Sequence, residues 1–108
     1  MDKLRNCLPE LRYLFHHLKP GQRLNYVKYG SSILAECLAN LALNLIYSNK
    51  NKLELKPSQI KILRKNKPGL IKLIMAKDVQ SQRKALTTKL INLLLSILMS
   101  ITDQIEKD

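Results

Sequence analysis

Two stretches of this chain are apolar almost all the way round a helix, and each leaves one narrow polar stripe that recurs every four residues. In the first, Glu36, Asn40, Asn44 and Ser48 form the stripe, while Ile33, Leu34, Cys37, Leu38, Leu41, Leu45 and Ile46 fill the remaining circumference. In the second, Asn92, Ser96 and Ser100 repeat the stripe through a leucine-rich run. Residues four apart share a helix face, and a helix this apolar needs neighbours on several sides. Two such helices in 108 residues commit the chain to a helical core.

The shorter elements are read from periodicity and punctuation. Over 9–18, Leu11, Leu14, Phe15 and Leu18 follow i, i+3, i+4, i+7, with Pro9 suited to the first turn and Pro20-Gly21 as the stop. Residues 22–29 predict a short helix with Leu24, Val27 and Tyr26 inward. Ser32 is expected to cap a helix over 33–47, which puts Glu36 in the first turn, where the helix dipole favours an anion. Residues 49–56 read as a polar connection. Pro57-Ser58 opens a helix with Ile60, Leu63 and Ile62 inward. Lys67-Pro68-Gly69 interrupts it, and residues 70–77 resume with Leu70, Leu73 and Ile74 inward. Asp78 is expected to cap a single last helix reaching about Ile105.

Three Gly, four Pro and no Trp argue against a turn-rich sandwich or barrel. The expectation is therefore all-α: one domain over 1–108, a small helical bundle of about five helices, with a basic segment at 50–89 and an apolar C-terminal helix at 86–105. The apolar circumference of 33–47 and 86–102 exceeds what so small a domain hides, which predicts a homodimer or other homo-oligomer. Leu90, Leu94, Ile97, Leu98 and Ile101 are its expected interface.

Reactive chemistry is sparse. The chain has no Gly-rich phosphate loop, GxSxG elbow, HExxH or DxDxDG pattern. Its eight carboxylates are scattered, so no acid/base pair stands out. His16 and His17 are adjacent and point about 100° apart on a helix, which does not suit shared metal ligation. The expectation is a non-enzyme with no cofactor, metal or small-molecule substrate. Cys7 and Cys37 lie in apolar helical contexts and are expected as buried, reduced thiols. The chain opens without a charged n-region followed by an apolar run, and the apolar stretch at 90–101 is too short to span a bilayer. An intracellular protein, in the nucleus or in a virion, neither secreted nor membrane-bound, is expected.

The charge is the feature that points to a partner. The chain carries a formal +11, with a pI near 9.9. Residues 49–89 alone hold twelve basic groups against Glu54 and Asp78. A segment so one-sided offers a docking place to a polyanion, and the expected partner is nucleic acid, as double-stranded DNA bound without regard to sequence. Lys61, Arg64, Lys65, Lys67, Lys72, Lys77, Arg83 and Lys84 are the expected phosphate contacts. A helix-turn-helix over 58–66 and 70–77 is the alternative, although its second helix carries no Asn, Gln or Arg to read bases. The other alternative is a protein–protein module in which the 86–102 helix docks with a partner and the basic segment only solubilises.

The succession Leu55, Pro57, Gln59, Lys61, Leu63-Arg64-Lys65, Lys67, Leu73, Lys77, Val79 and Arg83-Lys84-x-Leu86 resembles the small basic core-type, histone-like proteins of adenovirus-like Polinton/Maverick elements and their adintovirus relatives. The run from Glu36-Cys37-Leu38 through Asn44-Leu45 resembles the Glu-Cys-Ala-Leu-Asn segment that precedes the basic block in those proteins. The resemblance covers residues 33–89 and implies a DNA-condensing role. One departure is that the family's Gly-Gly step and aromatic apolar tail are replaced here by Thr87-Thr88-Lys89 and a leucine-rich helix.

Overall fold

A computed structural model describes residues 2–30, 32–47 and 53–106; Ser48 and most of the expected 49–56 connection lie outside the described residues. Among the described residues the chain is all-helical. It has seven α-helices and one 3₁₀ turn, rather than about five helices, and no strand. The helices are α1 (Asp2–His17), α2 (Arg23–Tyr29), α3 (Ser32–Ile46), α4 (Pro57–Lys65), α5 (Lys67–Ile74), α6 (Val79–Ala85) and α7 (Thr88–Glu106), with the 3₁₀ turn at Pro20–Gln22.

The first helix begins at Asp2, two turns before Pro9, the expected start. Leu4, Cys7, Leu8, Leu11 and Leu14 are all buried, so the apolar stripe continues upstream of the proline. An interior proline costs a helix about 3 kcal/mol, but burying one leucine returns about 1.5–3 kcal/mol, and Leu4 and Leu8 both lie on the added segment. Pro9 itself stays on the exposed side.

The expected reduced thiols are a correction. Cys7 on α1 and Cys37 on α3 are joined in a disulfide, with Cα atoms 5.7 Å apart. Thirty residues separate them in sequence, and only the packing of α1 against α3 brings them together.

The central helix is α3, which packs against α1, α2, α5, α6 and α7. Its polar stripe is consumed internally. Glu36 pairs with Lys3 at 2.7 Å, and the Asn44 amide, 7 % exposed, donates to the Asn40 backbone carbonyl and Oδ1.

The last helix is another correction, because the expected single rod is two helices bent by 94° at Leu86-Thr87. Each half carries its own cap. Asp78 Oδ1 accepts the Ser81 N–H at 2.8 Å, and Thr87 Oγ1 accepts the Leu90 N–H at 3.1 Å, both satisfying first-turn donors that a helix leaves free.

The expected interface is corrected as well. Leu90, Leu94, Ile97, Leu98 and Ile101 lie in the chain's own core, none more than 6 % exposed. What covers α7 is the chain itself: α1, α2 and α3 pack on it. Its polar stripe docks other elements. Asn92 receives Arg23, and Ser100 Oγ accepts the Gln59 amide of α4 at 2.6 Å. Farther along, Gln104 exchanges two hydrogen bonds with the Glu54 backbone, which ties the segment before α4 to α7. Among the described residues no single helix is long and apolar enough to cross a membrane.

Candidate nucleic-acid interface

Local sequence explains why the basic residues face water. On α4, Leu63 is buried while Lys61, Arg64 and Lys65 are exposed. Ile60 and Ile62, expected inward, are exposed as well. Pro57 sits in the first turn, where its missing N–H is no loss, and the Gln59 side chain accepts the Lys56 backbone N–H at 2.9 Å. The expected gap at Lys67-Pro68-Gly69 is instead the first turn of α5, separated from α4 by Asn66 alone. Pro68 therefore opens a helix rather than breaking one. On α5, Leu70 and Leu73 point into the core, which leaves Lys67 and Lys72 outside.

Seven of the eight expected contacts (Lys61, Arg64, Lys65, Lys67, Lys72, Lys77 and Lys84) are exposed, and Arg83 is half-buried. None of the eight forms an ion pair among the described residues. Three carboxylates that could have neutralised them are engaged elsewhere: Glu36 with Lys3, Glu106 with Arg12, and Asp78 as the α6 cap. The hydrogen bond from Ser81 holds the Asp78 carboxyl below its ordinary pKa, with Lys84 adding a smaller push in the same direction.

The cations do not form one stripe. Arg64 and Lys67 border a groove of about 550 Å³ that Glu54 also lines, and whose apolar wall comes from Leu45, Ile46, Leu53 and Ile60. Lys77 lies in a cleft of about 410 Å³ between α1, α3 and the start of α6, beside Lys3, Glu36 and Asp78. Arg83 and Lys84 line a third cleft, of about 190 Å³, with Lys28, Tyr29 and Gln80. No residue lines two of these clefts. Lys61, Lys65 and Lys72 line none of the three and are simply solvent-facing.

Sequence reasoning missed Lys28, Tyr29 and Gln80. The one local signal for Tyr29 is its place at a helix end, directly before the Gly30-Ser31-Ser32 break. Its meeting with Arg83, far along the chain, is tertiary. Arg23 was missed too: it reads as another surface cation but is 6 % exposed. Compared with protein-family models, curated proteins and solved structures, the chain matches none, so the resemblance over 33–89 rests on the residues quoted for it.

Proposed function

We propose that this chain binds nucleic acid through phosphate contacts without reading base sequence, as a small core or condensing protein would. The observation that carries the reading is the set of exposed cations on α4, α5 and α6, none of which forms an ion pair among the described residues. Ion pairs with phosphate release counterions, and this term is independent of sequence. The eight-residue α5 offers Lys67 and Lys72 but no Asn, Gln or Arg for bidentate base recognition, which favours phosphate binding over a helix-turn-helix. The molecule extends 33 × 27 × 23 Å, so one turn of duplex, about 34 Å, runs its full length. Cations in three clefts then suit contact with more than one segment of a polyanion. The protein–protein alternative loses its main support, because the α7 residues it needs are buried in the chain's own core. Of the two expected addresses, the Cys7–Cys37 bond favours a particle over the reducing nucleus.

Fluorescence anisotropy with labelled duplexes of unrelated sequence tests the reading. Affinities that agree within about twofold between sequences and fall steeply with salt support it. A strong preference for one sequence contradicts it.

A further inference from the structure

The cleft between the end of α2 and α6 differs from the other two in carrying an aromatic ring beside its cations. Tyr29 is 84 % exposed, the most exposed large aromatic or aliphatic side chain among the described residues. Tyr13 and Tyr26 shelter one another with ring centroids 5.6 Å apart, whereas Tyr29 has no ring partner among the described residues. Its ring is open to a ligand.

The backbone beneath this ring is held in place. Gly30 ends α2, its N–H bonded to the Tyr26 carbonyl at 2.8 Å, and a β-carbon at Gly30 would meet that carbonyl oxygen at 2.4 Å. From the other side Arg83 Nη2 donates to the Gly30 carbonyl at 3.0 Å, which locks α6 to the residue next to Tyr29. Arg83 Nε is shielded from water and has no hydrogen-bond partner. With Nη2 spent on that carbonyl and Nε closed off, Arg83 brings its positive charge to the cleft rather than a paired fork of donors. Lys28 and Lys84 line the same cleft and add two further positive charges.

Volume decides what fits. At about 190 Å³ the cleft is smaller than the ~300 Å³ at which small-molecule pockets begin, so it does not enclose a nucleotide. It does accept a phosphate group, with the attached base lying outside on the Tyr29 ring. A duplex keeps its bases stacked on each other and offers that ring nothing, whereas a single strand has unstacked bases to give.

We propose that Lys28, Tyr29, Arg83 and Lys84 form a binding site for single-stranded nucleic acid, in which the three cations hold a phosphate and Tyr29 stacks the adjoining base. This inference rests on the nucleic-acid reading above and adds strand preference to it.

The test is anisotropy of the full chain with a labelled twelve-nucleotide oligo(dT) and with a duplex of equal length. Tyr29→Ala and Tyr29→Phe are measured beside the unaltered protein, and circular dichroism confirms that both fold. Stacking is lost in Tyr29→Ala, so single-strand affinity falls about 5- to 150-fold while duplex affinity stays within about twofold. Tyr29→Phe keeps the ring and binds as the unaltered chain does, and an abasic strand removes the difference between Tyr29→Ala and the unaltered chain. Equal losses on both forms, or none, overturn the single-strand site while duplex binding still upholds the general reading. Binding of neither form by the unaltered chain overturns both.

Discussion

Arg23 Nη1 donates to Asn92 Oδ1 at 2.9 Å, joining the start of α2 to the first turns of α7 across 69 residues of sequence. The same guanidinium donates through Nε to the Leu14 carbonyl and through Nη2 to the Phe15 carbonyl, and it lies 5.1 Å from the centre of the Phe15 ring. Carbonyls in the last turn of α1 have no partner within their own helix. One cation therefore terminates α1, starts α2 and fixes α7.

Replacing Arg23 with Met keeps the aliphatic bulk and leaves two carbonyls and an amide oxygen without donors. Hydrogen bonds to charged groups are worth about 1.5–3 kcal/mol each, with losses in one network not additive, so we expect Arg23→Met to cost about 3 kcal/mol. Urea unfolding followed by circular dichroism measures it. A change below about 1 kcal/mol would show that the network is not structural.

The disulfide closes a loop across 30 residues, for which chain-entropy arguments give about 3–4 kcal/mol. Cys7→Ser with Cys37→Ser should lower stability by that order while the protein stays helical. Reduction of the unaltered chain should reproduce the loss, and mass spectrometry without reductant should show the chain two hydrogens lighter than its thiol form.

Leu94 is fully buried between α7 and the rest of the core. Leu94→Asp places a carboxylate without a partner in an apolar site, a penalty of several kcal/mol. The expected result is loss of the cooperative thermal transition. A variant that stays folded and merely changes from dimer to monomer in light scattering would restore α7 as an interface.

Asp78 supplies the pH dependence. Its folded pKa lies below the ordinary value because the carboxylate accepts the Ser81 N–H. The folded state therefore favours the ionised form, and this contribution is whole above the ordinary value. It disappears as pH falls through the folded value, below about pH 4. Asp78→Asn keeps an N-cap acceptor that does not titrate, so its stability should vary less than that of the parent between about pH 5 and pH 2.

Much of this fold is legible residue by residue. The spacing of Leu11, Leu14, Phe15 and Leu18, the stripe of Asn40 and Asn44, and the cap at Asp78 all follow from local rules and all sit where those rules put them. What escaped were features decided at a distance. Pro9 reads as a helix start until the burial of Leu4 and Leu8 is known. Thr87-Thr88 reads as the middle of one long helix, although a Thr whose hydroxyl accepts the amide three residues on is also a cap, and the competing leucine periodicity concealed it. Of the apolar surface assigned to a dimer, the α7 part lies in the chain's own core, while Ile33 and Leu43 of α3 stay exposed. At the candidate site, the exposure of the cations is legible from the spacing of Leu63, Leu70 and Leu73. Their division among three clefts, and the pairing of Arg83 with the segment around Tyr29, belong to the packing of α6 against the end of α2.

The central claim is that exposed cations on α4 and α5 bind phosphates, and the salt dependence of duplex binding tests it most directly. Lys61, Arg64, Lys65 and Lys67 are changed together to Gln, and the affinity for a labelled random-sequence duplex is followed across a salt series. Every phosphate that the variant no longer neutralises should flatten the log–log slope by about 0.9, so the variant should bind more weakly with a slope shallower by up to ~3.6. An unchanged slope, or no binding by the unaltered chain at about 0.15 M salt, would contradict it.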